Sequence, residues 1–398
     1  MTATITPLSA PSGGVPPLVD TPNALDEAAA RLAAGQGPVA ADAERASGFT
    51  YTSRAQLVQL FRRGSGLTLI DAAALPDLRT VMDALSGVEW VFHAASQDLP
   101  CLRECGVFPE RVFDTELASR LLGEASVGLA AVVARTLGLG LAKEHSAQDW
   151  SRRPLPGAWL NYAALDVVVL LDVRDALEKE LVAAGKLEML YSETASVLAA
   201  PAPGPRADPW RRTRGAHVLK DSRRLAVLRA MWEARDSLAA ERDLFPGRVL
   251  PDSALVAAAL ALPEERAALG HIPPFNGRRQ SKLLTYWWEA LCRGAATPDI
   301  PPVKAPRALA TPPARNWARR NPAAADRLAQ AKAALAEVSA ERRIPVENLA
   351  QPELVRQILF RAPEDAAAAL AALGARPWQI ELVAPVLDAA IAAHPDVP

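Results

Sequence analysis

The stretch Pro38-Val-Ala-Ala-Asp42-Ala-Glu44-Arg45 decides how the first half of this chain folds. Its pattern predicts a β-strand over residues 38–45, and side chains alternate between the two faces of a strand. The carboxylates of Asp42 and Glu44 therefore share one face, and Val39, Ala41 and Ala43 share the other. Two neighbouring carboxylates on a mostly buried strand repel each other and lose hydration, unless a cation compensates.

This acidic pair has two interpretations. A divalent cation is the simplest compensation for two adjacent negative charges, and carboxylate oxygens suit Mg²⁺ or Mn²⁺. A solvated edge strand would carry the same pair without binding any ligand. The pair alone does not decide between the two, so the other acidic positions matter.

Strand-like and helix-like runs alternate through the first 180 residues or so. Besides the acidic strand, extended segments are predicted within 49–61 and at 67–71, 89–93 and 112–113. Helices are predicted at 77–85 with Asp77 as a cap, at 96–104, at 115–122 with Asp114 as the N-cap, and as one long helix over 155–181. This order predicts an α/β fold, in which helices cover the faces of a mixed sheet.

Two later segments each contribute an acidic side chain. Trp90-Val-Phe-His93-Ala-Ala-Ser-Gln-Asp98 runs from a strand into a helix, and Asp98 falls in the first turn, where the helix dipole favours a carboxylate. Tyr162-Ala-Ala-Leu-Asp166 lies in the long predicted helix, and a spacing of four places the phenol and the carboxylate on one face. A buried Asp166 needs a partner, and a metal held by the strand carboxylates would be one.

Composition and charge limit the class of protein. The 398 residues are 50% hydrophobic and 22% charged, which excludes a wholly disordered chain. Residues 1–200 hold 16 Lys and Arg against 24 Asp and Glu, a net charge of −8, and residues 201–398 hold 28 against 21, a net charge of +7. Such a division suits a metal-using nuclease with a separate nucleic-acid-binding region, although solvated surfaces alone also produce it.

Features of secretion or membrane insertion are not found in the sequence. Three cysteines cannot form a disulfide framework, and Cys101 and Cys105 are expected in the core rather than at a zinc site. Residues 1–17 lack the basic start and apolar run of a signal peptide, and the longest apolar run, 254–262, is too short for a membrane span. We therefore expect a cytoplasmic protein without membrane contact.

Two proline-rich segments, 200–209 and 296–316, divide the chain, because proline disfavours both a helix and a central strand. The segments that follow carry apolar residues at helical spacing and are predicted to be all-helical. The expected organisation is a flexible tail (1–20), an α/β domain (21–199), a linker (200–216), a helical domain (217–295), a second linker (296–316) and a second helical domain (317–394).

The motifs together resemble a known family. Asp42-x-Glu44, His93-x₄-Asp98 and Tyr162-x₃-Asp166 are similar to the three exonuclease motifs of the DEDD superfamily, tyrosine subgroup. Further segments resemble the ribonuclease D family, namely 93–99, 113–118, 143–145 and 149–155. The resemblance implies a ribonuclease H-like 3′–5′ exonuclease domain with a mixed sheet, followed by two all-α domains similar to HRDC modules (helicase and ribonuclease D, C-terminal).

The resemblance also implies cofactors and roles. Two divalent metal ions, Mg²⁺ or Mn²⁺, would serve phosphodiester hydrolysis, and Asp42 would bridge both. Glu44 and Asp166 would complete the metal that holds the attacking water, and Asp98 would hold the second metal. Tyr162 would orient the water through its neutral hydroxyl. Metal pairs of this kind, ~3.5–4 Å apart, stabilise both the attacking and the leaving oxygen of a phosphodiester.

The predicted reaction is the release of nucleoside 5′-monophosphates from single-stranded RNA 3′ ends, such as those of tRNA precursors, by a monomer. His93 either contacts the terminal nucleotide as a substrate-binding residue or is a satisfied strand-end histidine. The arginines near Trp210, Trp287 and Trp317 either bind RNA, with the tryptophans stacking on bases, or are solvated while the tryptophans fill small cores.

Other functions are weighed against this one. The sequence has no glycine-rich phosphate loop, so we expect no nucleotide cofactor. A DNA 3′–5′ exonuclease of proofreading type would use the same carboxylates. A non-catalytic RNA-binding adaptor that has kept the fold is the rival from another class, and it should bind no pair of divalent ions.

Overall fold

The computed structural model describes residues 5–141, 148–201, 204, 206–304 and 311–396 of the chain. Strands and helices alternate in its first domain. The strands are β1 (Thr6–Leu8), β2 (Gln36–Arg45), β3 (Ala55–Arg63), β4 (Gly66–Ile70), β5 (Glu89–Phe92), β6 (Arg111–Asp114) and β7 (Leu139–Leu141). The helices are α1 (Pro22–Ala33), α2 (Arg79–Ala84), α3 (Leu99–Glu104), α4 (Thr115–Leu121), α5 (Leu129–Leu137), α6 (Gly157–Val168), α7 (Leu170–Ala183) and α8 (Leu187–Ala199).

Five of the described strands form one mixed sheet in the order β4-β3-β2-β5-β6. Strand β2 is central, antiparallel to β3 and parallel to β5. Its residues Val39, Ala41 and Ala43 pack on one face against α1, α2 and α3. Ala40, on the face shared by the two carboxylates, packs with residues of α4, α5 and α7. The predicted mixed sheet with helices on both faces is confirmed.

The described elements after residue 215 are all helical. The first helical domain contains α9 (Ser222–Glu241), α10 (Pro246–Val249), α11 (Asp252–Ala261), α12 (Arg266–His271), α13 (Arg278–Ser281) and α14 (Leu284–Ala296). The second contains α15 (Trp317–Arg320), α16 (Pro322–Arg342), α17 (Val346–Leu349), α18 (Pro352–Arg361), α19 (Ala366–Ala372) and α20 (Pro377–Ala393). Trp210, Trp287 and Trp317 are 2%, 0% and 0% exposed. These tryptophans therefore fill cores and are not stacking platforms for bases.

Both helical domains pack against the α/β domain. Phe245 donates its backbone N–H to Phe49 O at 2.9 Å, which fixes the first helical domain to the loop that follows β2. The second helical domain shares one buried hydrophobic cluster with α4, α5 and α7. Lys186 lies at this second junction, where its Nζ donates to Leu121 O at 2.5 Å and to Arg342 O at 2.7 Å.

The structure corrects several predictions, and three of them concern the ends or the continuity of elements in the α/β domain. The flexible tail predicted for residues 1–20 includes ordered segments, because β1 pairs with β7 and Val19 bridges Ile70. The helix predicted over 155–181 consists of α6 and α7, which meet at Val169 after a run of β-branched valines that lower helix propensity. The helix predicted at 77–85 begins at Arg79 and has Leu78 at its N-cap position, while the carboxylate of Asp77 accepts a hydrogen bond from the backbone N–H of Arg79 at 3.1 Å.

Other expectations concern smaller features. Cys101 and Cys105 are both buried, as a core role predicts. Residues 143–145, quoted for the family resemblance, lie outside the described residues. Within the described ranges, none of the helices combines the length and the apolar composition needed to cross a bilayer.

Candidate active site

Strand β2 and helix α6 bring three of the predicted carboxylates together. The register of the sheet sets Asp42 opposite Gln59 and Glu44 opposite Leu57 of β3. Helix α6 packs over β2 and β3 and carries Asp166. One ligand oxygen from each of Asp42, Glu44 and Asp166 lies within 4.8 Å of the others. Asp166 lies 122 or more positions from Asp42 and Glu44 in the chain, and the fold brings all three to one site.

The fourth carboxylate, Asp98, follows β5 in the chain. It lies at the junction of a short 3-10 helix (Ala95–Gln97) and α3, so the single helix predicted over 96–104 is broken here. Asp98 is 5% exposed and forms an ion pair with Arg45 at 3.8 Å. The charge of Asp98 also raises the pKa of Glu44, so the structure brings Asp98 into the electrostatic reach of the other three carboxylates.

A buried carboxylate holds the turn that presents His93 and Asp98. Asp114 accepts hydrogen bonds from the backbone N–H groups of Ala94 at 3.0 Å and Ala95 at 2.8 Å, and from two more at the start of α4. Ala94 has a left-handed φ of 66°, which costs a residue with a side chain about 1–2 kcal/mol. Asp114 thus caps α4, as predicted, and also stabilises a strained turn, a second role that its sequence neighbours do not indicate.

Burial dominates the electrostatics of the four carboxylates. It raises the pKa of Asp42 to about 6, the pKa values of Asp98 and Asp166 to about 8, and the pKa of Glu44 to about 9. The charge of Asp42 raises the pKa values of the other three further, since like charges disfavour ionisation. The Arg45 guanidinium acts in the opposite direction on the pKa of Asp42. Without cations, the group is therefore partly protonated at neutral pH.

Tyr162 and His93 are neutral beside these acids. Burial raises the pKa of Tyr162 above its ordinary value, and its hydroxyl donates a hydrogen bond to Asp166. Burial lowers the pKa of His93 to about 4. His93 Nδ1 lies 2.8 Å from Thr115 Oγ1, and the imidazole ring also hydrogen-bonds to the backbone of Val127.

A cavity of about 460 Å³ opens at the carboxylates. Asp42, Asp166, Tyr162 and His93 line it, together with Gly128–Ala131, the start of α5. The first N–H groups of a helix lack intrahelical acceptors and carry the positive end of the helix dipole. The cavity is therefore acidic on one side and able to attract an anion on the other.

Sequence reasoning missed two contributors to this site. Arg45 could have been found, because it directly follows Glu44 on the acidic strand. The start of α5 could not, since Gly128-Leu-Ala-Ala131 contains no chemistry-bearing side chain and is distant in the chain from the other members. Only the tertiary fold brings it to the cavity.

Three regions of the chain match family models. Residues 16–182 match a model described as 3′-5′ exonuclease, and residues 224–291 match the HRDC domain. Residues 310–391 match a 3′ to 5′ exonuclease C-terminal domain. The last description differs from HRDC, whereas we expected a second HRDC-like domain there from the sequence.

Relatives named ribonuclease D match most of the chain. That of Shewanella sp. (strain ANA-3) is 30% identical over 316 residues, which cover 78% of this chain and 78% of that protein. The chain belongs to the ribonuclease D family. Another member of the ribonuclease D family, from Acidiphilium cryptum (strain JF-5), is 33% identical over 321 residues, covering 76% of this chain and 79% of that protein.

Solved structures extend the likeness to the whole chain. A protein from Bifidobacterium adolescentis has a TM-score of 0.90 at 35% identity, covering 97% of this chain and 99% of that one. RNase D of Escherichia coli, described as an exoribonuclease involved in structured RNA processing, has a TM-score of 0.69 at 25% identity and covers 96% and 99%. As a member of the ribonuclease D family, the chain is a metal-dependent 3′–5′ exoribonuclease, as its motifs predict.

Proposed function

We propose that this member of the ribonuclease D family removes nucleotides from single-stranded RNA 3′ ends with two divalent cations, Mg²⁺ or Mn²⁺. One observation carries the proposal: the ligand oxygens of Asp42, Glu44 and Asp166 lie within 4.8 Å of one another, and Asp42 and Asp166 line a cavity. Asp98 supplies the fourth carboxylate. Once ionised, the four carboxylates would balance the charge of two divalent ions.

The donor set fits such ions. Carboxylate oxygens are preferred ligands of Mg²⁺ and Mn²⁺. Without a cation, burial raises the pKa values of all four acids, and repulsion by Asp42 raises those of Glu44, Asp98 and Asp166 further. When bound, two divalent cations lower the pKa of water and offset the charge of a phosphodiester and of its leaving oxygen.

The carboxylates take different roles in the proposal. The charge of Asp42 raises the pKa of each of the other three acids, so Asp42 interacts with the whole group and would be the member to contact both ions. Glu44 and Asp166 would then hold one ion with Asp42, and Asp98 would hold the other. Tyr162, neutral and bonded to Asp166, would orient the attacking water through its hydroxyl oxygen.

The cavity suits the terminal nucleotide of an RNA chain. Its volume of about 460 Å³ falls in the range of small-molecule sites. The start of α5 offers backbone N–H groups to a phosphate, and neutral His93 lines the same cavity as a polar contact for the nucleotide. These groups support substrate binding rather than chemistry.

A second cavity supports contact with the RNA chain upstream of its end. It measures about 870 Å³, and its lining includes Arg206, Arg212, Arg214, Trp232 and Phe245, together with Asp252, which forms an ion pair with Arg235. The backbone N–H of Phe245 donates to Phe49 O. Phe49 lies five residues after Glu44, so at most about 18 Å of backbone separates Phe49, next to this cavity, from Glu44. Arginine with aromatic faces suits single-stranded nucleic acid.

Digestion of 3′-labelled single-stranded RNA tests the proposal. We expect wild type with Mg²⁺ or Mn²⁺ to release labelled 5′-monophosphate, and Asp42→Asn to lose at least about 10³-fold in rate while keeping its circular dichroism spectrum. Asp26→Asn, an exposed carboxylate on α1, is the matched control and should keep full activity.

Three outcomes would contradict the proposal. Near-wild-type turnover by Asp42→Asn would show that the Asp42 carboxylate is not required as a metal ligand. Faster digestion of a 3′-labelled DNA of the same sequence would favour a DNA exonuclease. Calorimetry without any divalent-ion binding would favour the RNA-binding adaptor. The monomeric state, the cytoplasmic location and the domain boundaries remain predictions beside this function.

A further inference from the structure

Strand β3 carries a buried glutamine directly beside the carboxylate cluster. Gln59 is 0% exposed. Neither its amide nitrogen nor its amide oxygen has a hydrogen-bond partner among the residues that the structure describes. A buried amide without partners costs free energy, and the great majority of buried polar groups in folded proteins are satisfied. An apolar residue of similar size would serve this strand better if packing were the only requirement.

The register of the sheet gives the direction of this side chain. Gln59 is the antiparallel partner of Asp42, and residues directly opposite each other point to the same face with Cβ atoms about 4.5–5.5 Å apart. On its other side Gln59 pairs with Leu69 of β4. Gln59 therefore stands next to Asp42 on the face where the carboxylates meet.

The surroundings leave few partners for the amide. Leu57, two residues before Gln59 on the same face, and Leu69, opposite it, pack in an apolar cluster with Trp150, Trp159 and Ala163. This cluster covers the β4 side of Gln59 with hydrocarbon and indole groups, and the buried Trp150 Nε1–H also lacks a partner in the described part of the chain, so it does not donate to the amide oxygen. The β2 side offers the carboxylate of Asp42, which can accept a hydrogen bond from an amide N–H.

We propose that Gln59 is a positioning residue, whose amide N–H donates to the carboxylate of Asp42 and fixes its orientation when Asp42 binds cations. A hydrogen bond to the charged form of an acid favours that form. Partners of ligating carboxylates orient them and typically change metal affinity or activity by 10–100-fold. The inference rests on the proposed two-cation function, since it assigns Asp42 as a ligand.

Gln59→Met tests this inference, because methionine keeps the length of the side chain and removes its polar atoms. We expect the variant to unfold at a higher temperature in EDTA, by about 2–4 °C, because an unsatisfied amide is removed. We expect the same variant to bind Mn²⁺ about tenfold more weakly by calorimetry and to lose about tenfold in kcat. A higher melting temperature combined with weaker Mn²⁺ binding would show that the amide acts on Asp42 and not on the packing of the strand.

Gln280→Met is the matched control. Gln280 is also buried, but it donates to Val249 O and accepts from Trp287 Nε1 at 2.9 Å in the first helical domain. Its replacement should lower the melting temperature and leave Mn²⁺ affinity unchanged. If Mn²⁺ affinity falls in Gln59→Met and not in Gln280→Met, the loss of affinity is specific to Gln59 and not a general result of replacing a buried glutamine.

Several results would overturn the inference. Wild-type Mn²⁺ affinity and kcat in Gln59→Met, within about twofold, would mean that the amide has no role at the site. Unfolding of both Gln59→Met and Gln59→Leu would mean that the amide has a structural partner in the folded chain. Failure of wild type itself to bind Mn²⁺ would instead refute the proposed function, so the two failures are distinguishable.

Discussion

Binding of divalent cations should release protons from this protein at neutral pH. The pKa values of Asp98 and Asp166 are about 8 and that of Glu44 is about 9, so each of these acids is mostly protonated at pH 7 in the metal-free chain. Asp42, with a pKa of about 6, is mostly ionised. Ligating carboxylates must lose their protons, so we expect a release of about two to three protons per chain when both ions bind at pH 7.

Calorimetric titration with MnCl₂ in two buffers of different ionisation enthalpy measures this number. The release should fall below about one proton at pH 9.5, and Mn²⁺ affinity should rise between pH 6 and pH 9, because protons and cations compete for the same oxygens. Asp26→Asn should behave as wild type. Release of less than about half a proton at pH 7 would mean that the buried acids are already ionised without metal, which would refute the argument from burial and repulsion.

Three further predictions concern catalysis and stability. Tyr162→Phe should keep Mn²⁺ affinity but lose about 10²–10⁴-fold in kcat in the RNA assay, because the hydroxyl that orients the water is gone; an unchanged kcat would exclude this role. Lys186→Met leaves carbonyl acceptors without their donor and should destabilise the chain by about 1–3 kcal/mol in urea unfolding, whereas no change would mean that water replaces the ammonium group. Since the raised pKa values make the folded state bind more protons than the unfolded state, the metal-free melting temperature should fall as pH rises from about 5 to about 9; Asp166→Asn should weaken this dependence, and a flat profile would contradict it.

The sequence predicts those parts of the site in which the functional residues are close together in the chain. Asp42 and Glu44 alternate along one strand, and Tyr162 and Asp166 are one helical turn apart, so local geometry alone sets each pair on one face. The sequence also predicted the mixed sheet, because its strand and helix runs alternate. What brings the pairs together is the crossing of α6 over β2, which no local pattern contains.

Features that depend on distant contacts were missed or wrong. The pairing of β1 with β7 joins residues about 130 positions apart, and residues 6–8 alone are too few to indicate a strand. The turn at Ala94 depends on the Asp114 carboxylate, and a left-handed alanine has no local sequence pattern. Gln59 lies within a run of apolar strand residues, where its lack of a partner can be seen only after the strands on both sides are known.

The shared hydrophobic cluster of the α/β domain and the second helical domain has a consequence during synthesis. Leu177 of α7 and Trp317 of α15 belong to the same cluster, although the whole first helical domain separates them in the chain. At 5–20 residues per second, a ribosome needs roughly 10–40 s to make the 200 or so residues that follow α8. During this time, the part of the apolar surface of the nascent nuclease domain that the second helical domain later covers is exposed to solvent. We therefore expect chaperones to bind the nascent domain in this interval.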